Sequence, residues 1–336
     1  MSARTPTDPA PGSVAGQGLG EFDLIERYFA PLAGPGAFGL GDDAAVLTPT
    51  PGRQLVFTAD AINAGVHFLG DDPAGDVAAK LLAVNLSDLA AMGAEGVGYL
   101  ITTAWPGDLD EGWIADFAQG LAEAQAAYSV ALLGGDTVAT LGPLSLSLTA
   151  IGELPVDSAL RRNGARAGDR IYVSGRIGDA GVGLHILRDG LMGGATADRE
   201  RAVERYRRPE PRLALGRSLR GLASACIDIS DGLVADLAHL AEQSAARMTV
   251  ELDRVPVSPL ADLIGGAAGA IVAGDDYELL FTAAPENETR LFAAAGEVAA
   301  PLSCIGQVRS GQGVEVIDQL GNAVVLERGG YRHFDR

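Results

Sequence analysis

The chain has 336 residues, 47% hydrophobic and 21% charged, with a formal net charge of −19. That length suits two domains, the charge repels nucleic acid and anionic membranes, and no apolar run is long enough to span a bilayer. Lys80 is the only lysine, which excludes a Walker-type GxxxxGK[ST] loop; any polyphosphate bound here must be neutralised by something else.

Residues 1–19 are rich in Pro, Gly, Ser and Thr, lack the apolar centre of a signal peptide, and read as a flexible tail. From 20 to 153 strands and helices alternate. QLVFTAD (54–60) is a strand ending in Asp, and 72–92 is a helix stopped by Gly93. GVGYLITTAW (96–105) is a strand, 110–127 an amphipathic helix, and VALLGGD (130–136) a strand running into a Gly-Gly-Asp turn. PLSLSLTAIGE (143–153) alternates as a strand does. A boundary is expected near 153–165, with a second domain over 154–336.

The second series begins with the strand GDRIYVSG (168–175) and the helix 178–190. The Arg-rich, twice-proline stretch 199–212 bridges two helices. SACIDIS (224–230) is a strand, 231–244 the helix after it, and DYELLFTAA (276–284) another strand. The fold class is mixed α+β (α/β). Cys226 and Cys304 lie in apolar stretches and read as buried thiols, which suits a reducing, cytoplasmic setting.

The aspartates carry the functional signal. Asp42 and Asp43 follow Leu-Gly, Asp60 and Asp136 end strands, and Asp88 lies in a helix. Asp228 and Asp231 bracket the turn DISDG, and Asp275 and Asp276 precede a strand. Any one of them can be a helix cap or a turn residue. Converging, they would repel one another unless cations were bound. Magnesium binds through a few carboxylates plus substrate phosphates, and no Cys/His cluster has zinc spacing. Several such ions can take the place of the missing lysines, and Arg161, Arg162 and Arg166 can add a guanidinium.

LGDDAAV (40–46), TAD…AGVHF (58–68), KLLAVNLSDLAAMGA (80–94), GGDT (134–137), RRNGARAGDRIYVSGRIGDAGVGL (161–184), IDISDGLVADLAH (227–239) and GDDYELLF (274–281) run in that order, and GGYRHF (329–334) closes the chain. In these motifs, over about 20–334, the chain resembles the thiamine-monophosphate kinase family. The resemblance implies a two-domain fold like that of aminoimidazole-ribonucleotide synthetase. It also implies a homodimer whose N-terminal domains pair through a β-barrel, with the ATP- and magnesium-binding domain at 20–153. The reaction implied is direct in-line transfer from ATP to thiamine monophosphate, giving thiamine diphosphate, the last step of its biosynthesis. Metal ligands would be Asp43, Thr58, Ala59 (through its backbone), Asp60, Asp88, Asp136, Asp228 and Asp231. ATP contacts would come from Gly135, Asp136, Arg162 and Ser230, and substrate contacts from His67, Asp275 and Tyr331.

The chain departs from the family pattern at three places. Ala59 stands where the family has Ser or Thr, Asp275 where it has Glu, and Val138 ends a Gly-Gly-Asp-Thr-Thr motif. None removes a carboxylate from the metal set. The acceptor phosphate is already anionic, so phosphoryl transfer asks for positioning and charge neutralisation more than for a base. His67 can donate to that phosphate, and Tyr331 offers a ring face to a cationic thiazolium. His185 and His239 read as structural, while Lys80 either reaches the phosphates or extends its head to solvent. The alternatives are another ATP-dependent synthetase of the same superfamily, a magnesium-dependent phosphatase, and a non-catalytic nucleotide-binding homodimer.

Overall fold

The computed structural model describes residues 20–107, 110–326 and 329–331; the predicted tail at 1–19 lies outside them. After a short α1 (Glu21–Leu24) come β1 (Arg53–Asn63), α2 (Ala74–Ala91), β2 (Glu95–Pro106), α3 (Glu111–Tyr128), β3 (Ala131–Thr140) and β4 (Ser145–Pro155). The strands form an open sheet in the order β1-β4-β2-β3, with no closed barrel among the described residues. β4 runs antiparallel to β1 and β2, while β3, reached through the α3 crossover, is parallel to β2.

Pleating sorts the side chains. Ile62, Tyr99, Ile101, Trp105, Leu146 and Leu148 point to the face covered by α2 and α3 and join one core with Leu81, Leu82, Phe117 and Leu121. Phe57, Leu100 and Val138 remain exposed on the other face. The α2 sequence AGDVAAKLLAVNLSDLAA is rich in Ala and Leu, strong helix formers. Gly93, at φ +71, ends it as the sequence predicts. Almost every side of α2 is buried, because it lies between the first sheet, α3 and elements of the second domain.

Gly120 of α3 meets Gly75 of α2 at very close range. A Cβ on Gly120 would stand 2.4 Å from the Gly75 Cα. Gly120→Ala is therefore expected to destabilise the protein by about 1–3 kcal/mol through overpacking. An unchanged midpoint in urea unfolding would show that the two helices part freely.

The second domain continues with β5 (Arg170–Ser174), α4 (Asp179–Asp189), α5 (Thr196–Arg207), α6 (Leu213–Ser218), β6 (Ala225–Asp228), α7 (Leu233–Gln243) and β7 (Arg247–Glu251). It ends with α8 (Gly266–Ala270), β8 (Leu279–Ala283), α9 (Glu288–Glu297), β9 (Leu302–Arg309) and β10 (Gly313–Ile317). Its sheet has the order β10-β7-β9-β5-β8-β6, mostly antiparallel, so the mixed two-domain α+β architecture expected from the sequence is present.

Three local expectations need correction. The stretch 199–212 is itself largely helix α5, and only residues 208–212, with both prolines, fall in the link to α6. Gly134-Gly135-Asp136 is not a turn: β3 runs straight through it. A Cβ at Gly135 would lie 1.8 Å from the Ile101 carbonyl oxygen, so glycine is there to let β3 approach β2. Of the two thiols, Cys226 is buried as expected, but Cys304 is only half-buried. No helix among the described residues is long and apolar enough to cross a membrane.

Candidate active site

A cleft of about 450 Å³ opens where the first sheet and α2 face the second domain. Residues 80, 84 and 88 fall at i, i+4 and i+8 on α2, so Val84 and Asp88 lie in one row along its wall. From the first sheet comes Asp60, near the end of β1. From the second domain come Asp228 at the end of β6, then Ser230 and Asp231 in the turn before α7. Arg162, His67, Asp275 and Tyr331 complete the lining. Nine of the sequence-predicted residues besides Thr58 thus meet around one space, although they come from far apart in the chain.

Hydrogen bonds fix the carboxylates. The Thr58 hydroxyl donates to Asp88 Oδ2 at 2.5 Å, which places Thr58 beside the set. The Asp60 backbone N–H donates to Asn85 Oδ1 at 2.9 Å, and Asn85 Nδ2 in turn donates to the Leu81 carbonyl. Ser87 Oγ donates to Asp228 Oδ2 at 2.6 Å, tying α2 to β6 across the domains.

The electrostatics are those of crowded anions. Burial, then the charges of Asp88 and Asp231, push Asp60 up to about 6. Burial, then Asp88, push Asp228 up to about 7. Asp88 is also raised, chiefly by burial, against the opposing effects of the Thr58 hydroxyl and Arg162. Each carboxylate here is held in a form that a cation or a proton would relieve.

His67 accepts the Asn63 N–H at Nδ1, 3.1 Å away, so a neutral ring carries its proton on Nε2. Tyr331 is anchored through its own N–H to the Asp231 carbonyl, at 2.9 Å. Of the three candidate arginines only Arg162 lines the cleft; Arg161 and Arg166 are exposed elsewhere.

Asp43, Gly135 and Asp136 are not in this cleft. They line another, of about 570 Å³, together with Asp42, Leu100 and Thr102. The pleat explains the division. Asp136 pairs with Thr102 and shares the face of Leu100 and Val138, opposite the face that carries Asp60. Ala59 also points to that outer face, between Thr58 and Asp60, and its methyl offers no ligand atom. The predicted ATP contacts are therefore split, with Gly135 and Asp136 on one side of the sheet and Arg162 and Ser230 on the other.

Sequence reasoning missed several residues of the cleft. Asp236, buried on α7, accepts the N–H groups of Ser230, Asp231 and Gly232 at 3.0–3.2 Å and shapes the turn that presents Asp231. Burial, then Asp228 and Asp231, raise it to about 8. His239, expected to be only structural, brings a ring nitrogen within 4.8 Å of ligand atoms on both Asp231 and Asp236. His239 itself is not among the cleft's lining residues, whereas Tyr206 and Tyr277 are. A usable signal existed for Asp236, since DISDGLVAD places an acid one helical turn beyond the turn it caps.

Residues 41–154 match the family of AIR synthase related protein, N-terminal domain, and 166–319 match its C-terminal domain. A thiamine-monophosphate kinase of Caulobacter vibrioides is 42% identical over 324 residues, covering 93% of this chain and 90% of its own length. The crystal structure of thiamine-monophosphate kinase from Stenotrophomonas maltophilia K279a superposes with a TM-score of 0.78 at 43% identity, over 85% of this chain and 91% of that one. A structure of AaThiL complexed with AMPPCP and TMP superposes at 0.75 with 31% identity, over 94% and 97%.

Proposed function

The chain belongs to the thiamine-monophosphate kinase family, within the AIR synthase related proteins, and on that footing we propose that it transfers the terminal phosphoryl group of ATP to thiamine monophosphate, giving thiamine diphosphate and ADP. The observation that carries the reading is the convergence of Asp60, Asp88, Asp228 and Asp231 with Arg162 in one cleft. The relative that holds AMPPCP and TMP is similar over nearly the whole chain, which supports ATP and thiamine monophosphate as the two substrates.

Magnesium fits the donor set. The carboxylates offer hard oxygen ligands, and burial, then neighbouring carboxylates, raise the proton affinity of Asp60 and Asp228. Asp60, Asp88, Asp228 and Asp231 would hold the ions, with Thr58 orienting Asp88. Bound magnesium supplies charge neutralisation across the transferring phosphates. The chain's own groups do the rest. The Arg162 guanidinium binds phosphate, Ser230 lines the nucleotide side, and His67 donates from Nε2 to the acceptor phosphate. Asp275 and the Tyr331 ring face the cationic heterocycle.

The assembly proposed is a homodimer that pairs the first sheets into a barrel. Phe57, Leu100 and Val138, exposed on the outer face, supply the apolar surface for it. Asp43, Gly135 and Asp136 line the cleft that Leu100 also borders, so their proposed metal and nucleotide roles are tied to the dimer: a second copy would enclose that cleft. The division of labour between 20–153 and 154–336, and a cytoplasmic setting, belong to the same reading.

The test is ATP turnover with thiamine monophosphate as acceptor, with and without magnesium, followed by separation of the products. ADP and thiamine diphosphate in equal amounts are expected with magnesium alone. Folded protein that forms neither would overturn the proposal.

A further inference from the structure

Lys80, the only lysine of the chain, is 2% exposed. Its Nζ lies 2.5 Å from Asp275 Oδ2 and 4.0 Å from the centre of the Tyr206 ring. The expected alternative of a head extended to solvent does not hold. The lysine sits on α2, in the first domain, while both partners belong to the second. An ammonium buried this far is tolerated only where paired, and here the pairing spans the domains.

The loop carrying Asp275 is shaped for display. Asp275 has φ +66 and Tyr277 φ +50, a left-handed backbone that L side chains adopt at a cost. Three sets of bonds hold it. Asp275 N–H donates to the Ser230 carbonyl at 2.7 Å, and Tyr277 N–H to the Ile229 carbonyl at 2.8 Å. The Asp276 carboxylate accepts the Gly178 N–H. The Asp275 side chain is left 31% exposed in the cleft, with the buried ammonium behind it.

We propose that Lys80 is a positioning residue for substrate recognition: it fixes the Asp275 carboxylate so that its free edge meets the cationic heterocycle of the substrate. Without Lys80, the carboxylates of Asp60, Asp228 and Asp231 in the same cleft would drive Asp275 away from them. Lys80 and Asp88 lie about 12 Å apart along one rigid helix. The spacing between the heterocycle end and the phosphate end of the cleft is thereby set by α2. The inference rests on the kinase reading above.

The experiment compares wild type, Lys80→Met, Lys80→Arg, Asp275→Asn and the double variant Lys80→Met/Asp275→Asn at saturating ATP and magnesium. Lys80→Met is expected to raise KM for thiamine monophosphate about thirtyfold or more. Its kcat and its KM for ATP should stay within about threefold of wild type. Lys80→Arg should restore part of the KM. On the Asp275→Asn background, Lys80→Met should add nothing, since it acts only through Asp275. A fall in kcat with additive losses would make Lys80 a phosphate contact and overturn the proposal. An active wild type with an unchanged KM in Lys80→Met would sink the inference and leave the kinase reading standing. A wild type inactive on thiamine monophosphate sinks both. If Lys80→Met does not fold, Asp275→Asn and the double variant decide, because neither charge of the pair is left buried in the double. Equal KM values support the proposal, and a further rise of more than about threefold overturns it.

Discussion

Asp228→Asn is expected to lower kcat by about two to three orders of magnitude and, in EDTA, to raise thermal stability rather than reduce it. Asp228 is 5% exposed at the end of β6, and Ser87 Oγ donates to it across the domain interface. An asparagine keeps an oxygen for Ser87 but removes a charge that Asp88 and Asp60 repel. On the proposed function, turnover falls because a carboxylate that would hold the cation is removed. Stability is gained because, without a cation, that charge is only a burden.

The pH dependence follows from the same shift. The carboxyl has an ordinary value of about 3.9 in the unfolded chain and is raised to about 7 in the folded one. The folded state therefore holds the proton more tightly. Its contribution to stability is complete below about pH 4 and is lost as pH rises through about 7. In EDTA, wild type should lose stability over that window relative to the variant, and magnesium should restore it. Calorimetry across pH, with and without magnesium, reads both effects. Near-normal kcat in the variant would remove Asp228 from the ligand set. A variant less stable than wild type in EDTA at pH 8 would refute the electrostatic account.

Glu278→Ala is expected to cost on the order of 3–5 kcal/mol and to lower Tm by roughly 10 °C. Glu278 is 2% exposed and takes both Arg212 Nε at 2.7 Å and Nη2 at 2.5 Å, a bidentate pair. Ser174 Oγ donates to it at 2.5 Å, and Arg205 stands 3.9 Å away. Arg212 is itself buried, just before α6, so the truncation leaves its guanidinium in the interior with only Glu210 Oε1, 3.0 Å from Nη1, as an acidic partner. The double variant Glu278→Leu/Arg212→Met should lose less than Glu278→Ala alone, because no charge is then left without a partner. Chemical denaturation of the three variants separates these cases. A loss below about 1 kcal/mol for Glu278→Ala would show that water reaches the guanidinium.

Much of the cleft is legible in the residues. An apolar strand that stops at Asp228 and a helix that carries Asp88 announce the carboxylates, whereas β1 runs three residues past Asp60, the strand end expected from the sequence. Other parts are not. A Gly-Gly pair usually punctuates, so 134–136 reads as a turn; only the closeness of the Ile101 backbone reveals why β3 needs glycine there. Whether Asp136 shares a face with Asp60 depends on strand order, and strand order is a tertiary fact. β7 and β10 carry charged residues within five-residue strands, RMTVE and GVEVI, and so lack the apolar run that marks the equally short β8. A lone lysine in an apolar helix looks like a surface residue, because what buries it is a second domain more than a hundred residues along the chain.

α2 belongs to two interiors. Leu81, Leu82 and Leu86 pack with the first sheet, while Ala90 and Ala91 join Leu215, Leu219 and Phe281 of the second domain. The border between the domains is therefore one of sequence, not of cohesion. Neither half could be lifted out of this chain and keep its shape, and the helix that divides them is a keystone whose loss would bring down both sides of the arch.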